Sequence, residues 1–182
     1  MRALVVYESM YGNTSAIAQH VAAGLRSGYD DVTVAPVRDV GAGLAASTDL
    51  LVVGGPTHVH GLSSGATRRS AVADAGKHPD LTTDAAAADP GLRDWLRTVP
   101  AGEGRSAAAF DTRFRAPAAL TGRASRGVAR RLRRHGFRAA VRPESFFVDK
   151  RNRLIDGEVE RAQAWGEALA RSARAAHQPA GH

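Results

Sequence analysis

The chain alternates between short apolar runs and longer stretches in which apolar residues recur at helical spacing. Residues 3–8 are apolar up to a final glutamate, and residues 49–57 hold an apolar core that ends in two glycines. Such runs are typical of strands buried on both faces of a parallel sheet. Residues 31–37 alternate like a half-exposed strand, and residues 106–112 and 137–148 complete a set of five predicted strands.

Helical patterns separate these strands. In the first, Ile17, Val21 and Leu25 recur every four residues. Residues 123–135 and 156–173 carry two further amphipathic patterns, which predict one helix before and one helix after the last strand. Strand and helix alternate throughout, and this alternation predicts a doubly wound α/β fold.

The two most apolar strands are expected at the centre of the sheet, which gives a five-stranded parallel sheet of order 2-1-3-4-5. The crossover between strands 3 and 4 is longer than one helix requires, and residues 89–100 within it predict a helix with Trp95 on its buried face. Pro143 places the last strand at a sheet edge or at a bulge. We expect a single domain over residues 1–175, followed by a disordered tail at residues 176–182.

Composition narrows the chemistry. The 182 residues include no cysteine, which excludes disulfides, thiolate nucleophiles and cysteine-held metal clusters. No apolar run approaches the length of a membrane span, so we expect a soluble, cytoplasmic protein without a membrane partner. The net charge of +7 is concentrated, because residues 112–143 contain ten arginines and no acidic residue. This basic stretch coincides with one amphipathic helix, and its lack of interleaved aromatic residues makes nucleic acid an unlikely partner.

The turn between the first strand and the first helix has the composition of an anion site. It joins Ser9 and Thr14 through Gly12, and it supplies hydroxyl groups and backbone N–H groups at a helix N-terminus. The turn contains no lysine or arginine, and the chain has no Walker sequence. These features point to a phosphate monoester on a larger ligand. The alternative is an ordinary strand-to-helix turn capped by a threonine.

The stretch VVYESMYGNTSAIA, residues 5–18, resembles the signature of the flavodoxin family. GGPTHVHG and FDTR are similar to that family's second and third flavin loops, and the resemblance extends over residues 2–173. The SMYG form of the first loop also resembles flavodoxin-like quinone reductases and the flavodoxin domains of flavodiiron proteins. The resemblance implies a flavodoxin-like FMN-binding fold.

The resemblance also implies a set of FMN-binding residues. Those expected around the phosphate are Ser9, Met10, Tyr11, Gly12, Asn13 and Thr14. Those expected around the isoalloxazine ring are Pro56, Thr57, His58, Val59, His60, Gly61, Asp111, Thr112, Arg113 and Phe114. The chain departs from the family where flavodoxins commonly place Trp and Tyr around the ring, because its ring candidates are histidines and Phe114. Arg113 and Arg115 also replace the usual acidic surroundings of the flavin.

Two functional hypotheses follow. The first is an FMN-dependent redox protein, either an electron carrier or a small quinone-reductase-like oxidoreductase; its partner is then a redox protein or a small-molecule electron acceptor. A positive charge near the flavin favours the reduced form, so Arg113 is expected to raise the midpoint potential. The second is a flavin-free module that applies the basic helix to an anionic partner. Association into a homo-oligomer is compatible with both. A metal site formed by His58, His60 and Asp111 is a weaker alternative, and we expect no bound metal.

Overall fold

A computed structural model of the chain describes residues 1–58, 61–62, 91–117 and 121–177. The described strands are β1 (Arg2–Tyr7), β2 (Asp31–Pro36), β3 (Leu50–His58), β4 (Gly61–Leu62), β5 (Ser106–Phe114), β6 (Arg138–Ala139) and β7 (Glu144–Val148). The parallel sheet has the order β2-β1-β3-β5-β6, with β7 also beside β5 and β4 antiparallel to the end of β3. The predicted order 2-1-3-4-5 is confirmed, since β6 and β7 are two parts of the fifth strand.

The fifth strand is interrupted where its sequence contains Pro143. Strand β6 pairs with the beginning of β5 at Ser106 and Ala107, and β7 pairs with its end from Phe110 to Phe114. Proline lacks the N–H group that a sheet ladder needs, so the break at residues 140–143 falls where the sequence predicts an edge or a bulge.

Five α-helices and one 3-10 turn (Val37–Asp39) are described. The α-helices are α1 (Asn13–Leu25), α2 (Ala42–Ala46), α3 (Leu92–Thr98), α4 (Ala124–Arg134) and α5 (Glu158–His177). Helix α2 has five residues, too few to show a helical period, and the sequence pattern did not predict it. Helix α5 continues past the predicted end at residue 173 and includes residues 176 and 177, which the sequence assigned to the tail. Asp89 and Pro90, the predicted start of α3, lie outside the described residues.

The helices cover both faces of the sheet, and alternate residues of β5 show which face each helix covers. Ala107 and Ala109 belong to the hydrophobic cluster that includes residues of α3 and α4, whereas Ala108 and Phe110 belong to the cluster that includes residues of α1 and α5. Side chains of a strand alternate between faces. The later residues of β5 are therefore divided between the same two faces.

Trp95 is a core residue, as predicted, and Trp165 is half-buried against the core. Trp95 of α3 is buried, and its Nε1–H donates to the carbonyl oxygen of Val40 over 3.0 Å. Trp165 of α5 packs edge to face against Phe110 and Phe146, with ring centroids 6.1 Å apart in both pairs. The hydrogen bond to Val40 satisfies the indole N–H, so burial of the Trp95 ring leaves no unpaired polar group on its side chain.

Helices α1 and α5 contact each other through their backbones. A Cβ added at Gly24 of α1 would overlap the carbonyl oxygen of Gln163 and would lie 2.7 Å from the backbone nitrogen of Glu167. A Cβ added at Gly166 of α5 would overlap the carbonyl oxygen of Val21. Two glycines at one crossing therefore allow α5 to hold α1 closely. Within the part of the chain that the structure describes, no helix is both long and apolar enough to cross a lipid bilayer.

Candidate functional site

The turn after β1 joins the sheet to the N-terminus of α1. It begins where the Glu8 amide donates to the carbonyl oxygen of Gly54, and it ends at Gly12, whose φ of +83° lies in the left-handed region that favours glycine. The Ser9 Oγ accepts from the Gly12 amide over 3.1 Å. No side chain caps α1, so the positive end of the helix dipole has no capping oxygen of its own.

Thr14 in the first turn of α1 contacts the end of β5. Its Oγ1 lies 2.7 Å from the Oγ1 of Thr112, and both residues are buried. Thr112 follows Phe110 by two positions and so faces the same side of the sheet as α1. One hydroxyl donates to the other, which leaves one of the two hydrogens available for a further acceptor. Thr14, which is expected at the FMN phosphate, thus contacts Thr112, which is expected at the isoalloxazine ring.

A loop that the sequence did not single out also reaches this turn. The Asn13 Nδ2 donates to the carbonyl oxygen of Asn152 over 2.7 Å, across 139 positions of the chain. Asn152 has a φ of +58°, which asparagine tolerates better than most residues. Asp149 orders the loop by accepting from the amides of Arg151 and Arg153 over 2.9 Å each, and the Arg153 amide is the main cause that lowers the pKa of Asp149. An asparagine in a short polar loop was the only available sequence signal.

Asp111 of β5 points to the opposite face, toward α4. It has no exposed surface, and its Oδ2 accepts from the Ser125 amide over 2.8 Å, while the Thr57 Oγ1 accepts from the Ala124 amide over 3.0 Å. These two side chains from β5 and β3 satisfy the first amides of α4. Burial raises the pKa of Asp111, and the Ser125 amide opposes that shift. Asp111 and Thr57, both expected at the isoalloxazine ring, therefore hold the N-terminus of α4 in the structure.

Arg113 lies on the same face as Asp111 and is 5% exposed. Its Nη1 donates to the carbonyl oxygen of Ala116 over 2.7 Å and to the Thr121 Oγ1 over 3.0 Å. The guanidinium also lies over the ring of Phe147, 4.8 Å from its centroid. Burial lowers the pKa of Arg113, and the charge of Asp111 opposes the shift. The structure thus places Arg113 under the loop that follows β5, and its effect on a flavin stays a prediction.

Glu8 is a second buried carboxylate that the sequence did not assign to a role. Its Oε2 accepts from the Leu92 amide, the first residue of α3, over 2.7 Å. A carboxylate at a helix N-terminus satisfies an amide and interacts favourably with the dipole. Glu8 therefore ties the helix of the long crossover to the end of β1, next to the turn.

The remaining predicted site residues follow the sheet register. Pro56 lies opposite Thr112 in the pair of β3 and β5, and Gly61 pairs with His58 where β4 meets β3. Val59 and His60 lie outside the described residues. Among the residues that the structure describes, no group of three or more His, Asp or Glu could hold a metal ion.

Comparison with known proteins finds a family model that is similar to the first part of the chain. A family model described as Flavodoxin matches residues 5–87, which include the turn and the whole of β3. Residues 5–87 are therefore similar to the flavodoxin family. This segment carries two of the three loops that form the candidate flavodoxin site, and the third, at the end of β5, lies beyond it. A search of curated proteins found no match.

Solved structures match the chain over nearly its whole length. A flavodoxin from the domain Archaea has a TM-score of 0.65 at 20% identity, with 96% of this chain and 99% of that chain covered. A WrbA-like flavodoxin protein from Agrobacterium tumefaciens has a TM-score of 0.61 at 19% identity, with 96% and 98% covered. The Flv1 flavodiiron core from Synechocystis sp. PCC6803 has a TM-score of 0.63 at 16% identity, with 97% of this chain but only 37% of that chain covered. At these identities the likeness shows a shared flavodoxin fold.

Proposed function

We propose that the chain is an FMN-binding redox protein whose turn at residues 9–14 holds the FMN phosphate. The observation that carries the proposal is the start of α1, where a helix of 13 residues follows Gly12 without a side-chain cap. The positive end of a helix dipole with available amides favours a phosphate. The flavodoxin match over this segment supports the same ligand.

The donor set of the turn fits a phosphate monoester. Ser9 and Thr14 contribute hydroxyl groups, Gly12 brings the backbone close, and Asn13 is held by the neighbouring loop through Asn152. Neutral donors and a helix dipole can hold a phosphate without a lysine or a magnesium ion. By this proposal Met10, which is buried, supports the turn from below and leaves its amide to the ligand.

The ring of FMN would lie beyond the ends of β3 and β5. Pro56 would lie on one side of the ring and Thr112 on the other, since β3 and β5 are paired in register up to these two residues. Bound FMN would supply one-electron and two-electron transfer. The chain's own residues bind and orient the cofactor. Asp111 and Thr57 do so indirectly, by fixing the start of α4.

The finer role is a choice between an electron carrier and a small reductase. Arg115 is exposed beside Phe114, and Arg113 is buried behind it, so the end of β5 is positively charged. Positive charge at this end favours addition of negative charge to bound FMN and raises the midpoint potential. We therefore favour a small FMN-dependent oxidoreductase with an electron acceptor of quinone type, and a redox protein as partner is the alternative.

The phosphate assignment is tested by FMN titration of the purified chain. Ser9→Ala and Thr14→Ala each remove a hydroxyl donor, and we expect each to weaken FMN binding by about 1.5–3 kcal/mol. Thr98→Ala is the matched control, because Thr98 donates to the carbonyl oxygen of Trp95 within α3. Unchanged affinity in the double variant Ser9→Ala/Thr14→Ala would exclude this site for the phosphate.

A flavin-free binding module is the second candidate function. The exposed side of α4 carries Arg126, Arg130, Arg133 and Arg134. The arginines of α3 lie near this side, because Arg93 and Arg97 are among the charges that lower the pKa of Arg131 after burial itself. A surface of this kind attracts anionic partners. Visible absorbance of the purified protein separates the two functions, since only the first requires bound flavin.

A further inference from the structure

A groove of about 500 Å³ lies at the carboxyl ends of β5 and β7. It is lined by Phe114, Arg115 and Ala116 after β5, and by Val148, Asp149 and Lys150 after β7. Phe114 and Val148 are paired in the sheet register, so they face the same side. The volume is within the range of small-molecule sites. Of the six lining residues, only Phe114 belongs to the set that the family resemblance implies for FMN, and the titration with FMN below tests which ligand it contacts.

The lining of the groove includes an exposed aromatic side chain. Phe114 is 50% exposed, and the other large hydrophobic residue that is exposed among the described residues is Leu44, at 37%. Leaving a phenyl ring half in water forgoes a large part of its burial energy. A flat ligand stacked on Phe114 would recover that energy.

The rim of the groove is positively charged. Arg115 and Lys150 make no ion pair or side-chain hydrogen bond with any residue that the structure describes. The carboxylate in the groove is already engaged, because Asp149 accepts from the Arg153 guanidinium at 3.1 Å and from two backbone amides. Asp149 therefore does not neutralise the two cations, and the groove favours an anion.

The groove is held in shape by backbone contacts from three sides. The Arg115 amide donates to the carbonyl oxygen of Val148 over 3.4 Å, and the Asp149 amide donates to that of Arg153 over 2.8 Å. The Asn13 side chain fixes Asn152 from the turn before α1. A preorganised site loses less entropy when it binds a ligand.

We propose that this groove binds a planar aromatic carboxylate, stacked on Phe114 and with its anionic group between Arg115 and Lys150. The binding is separate from the turn at residues 9–14 and does not rest on the proposed FMN site. An aromatic ring supplies the apolar contact, and a carboxylate supplies the charge that both cations can share. A ligand that lacks either feature loses one of the two contributions.

The test is calorimetric titration of the full chain with 2-naphthoate, and with the uncharged 2-naphthamide for comparison. We expect the double variant Arg115→Gln/Lys150→Gln to weaken 2-naphthoate binding about tenfold or more and to leave 2-naphthamide unchanged. Phe114→Ala should weaken both probes. The control Arg126→Gln/Arg142→Gln carries the same change in net charge at two exposed arginines elsewhere, and it should bind 2-naphthoate like wild type.

Several outcomes would overturn the proposal. The first is no detectable binding at a 2-naphthoate concentration of about 5 mM, since a site with a Kd of ~1 mM (−4.1 kcal/mol) would be mostly filled there. The second is equal affinity for 2-naphthoate and 2-naphthamide. The third is equal weakening of 2-naphthoate binding in the control variant. Repeating the titration at saturating FMN separates the groove from the flavin site. Unchanged 2-naphthoate affinity supports the proposal, and displacement by FMN shows that the groove is part of the FMN site. If the chain binds no FMN, the titrations with 2-naphthoate and 2-naphthamide alone still test the proposal.

Discussion

Helix α1 is expected to depend on a backbone contact that admits no side chain. Gly24→Ala adds one methyl group where α1 crosses α5. That methyl would overlap the Gln163 carbonyl oxygen and would lie 2.7 Å from the Glu167 nitrogen and 2.9 Å from the Gly166 Cα. All three neighbours are backbone atoms, so no rotamer change can relieve the contact. The two helices must move apart for the variant to fold.

The expected loss of stability follows from two opposing contributions. Overpacking a close contact costs about 1–3 kcal/mol, and more when backbone must move. Alanine in a helix interior gains about 0.8–1 kcal/mol over glycine. The net expectation for Gly24→Ala is a loss of about 1–2 kcal/mol, or roughly 2–8 °C in Tm for a chain of this size. Gly127→Ala is the matched control, because its nearest neighbour would be the mobile end of Arg131 at 3.4 Å. It should gain up to about 1 kcal/mol.

Urea and thermal unfolding followed by circular dichroism measure both variants against wild type. We expect the two alanine variants to shift in opposite directions, with a difference of about 2 kcal/mol between them. If Gly24→Ala is as stable as Gly127→Ala, then α1 and α5 do not touch at this crossing.

Three further predictions concern charges. Burial raises the pKa of Asp111 above its ordinary value of 3.8, so the folded state binds the carboxyl proton more tightly than the unfolded state. The stability that this proton contributes is complete below pH 3.8 and is lost as the pH rises through the raised pKa. The variant Asp111→Asn should therefore become more stable relative to wild type between pH 4 and 7 in urea unfolding, and a pH-independent difference would contradict the raised pKa. Arg113→Ala should lower the two-electron midpoint potential of the FMN-loaded protein by some tens of millivolts, where ~30 mV corresponds to about 1.4 kcal/mol; coincident midpoints in spectroelectrochemical titration would show that Arg113 serves only the loop after β5. The basic helix should not bind duplex DNA at physiological salt, because it lies packed on the sheet and its exposed side has no aromatic residue; the contrary result is salt-dependent binding that is lost when glutamine replaces Arg130, Arg131, Arg133 and Arg134.

The sequence predicted the elements well where the signal was local. Strand β1, the turn with Gly12 and helix α1 form one continuous pattern, and the sheet order followed from which strands were most apolar. Helix α2 was missed because five residues cannot display a helical period. Helix α5 was ended too early, because its final residues lack the large apolar side chains that mark a helical stripe.

The contacts of the site could not be predicted in the same way. Thr14 meets Thr112 across 98 positions, and Asn13 meets Asn152 across 139, so both contacts depend on the complete fold. The orientation of Arg113 was accessible in part. Ala107 and Ala109 are small and lie under α3 and α4, and the period of two places Arg113 on that same face. The family resemblance placed Arg113 in a loop near the flavin. It could not give the direction of the Arg113 side chain, because the family has a different residue type there.

The broken fifth strand has a consequence for association between molecules. An intact edge strand offers a continuous row of unpaired N–H and C=O groups to any other extended chain. Here β6 has only two residues, and β7 begins again after a gap that contains Pro143 and the exposed Arg142. A second copy of this chain that aligned with this edge would meet a missing donor at Pro143 and the like charge of Arg142 within four residues. Farther along the edge, Val148 already forms an antiparallel bridge with Leu154, and the carbonyl oxygen of Phe147 accepts from the Ile155 amide. The interruption and this short return of the chain therefore protect the edge of the fifth strand against edge-to-edge aggregation.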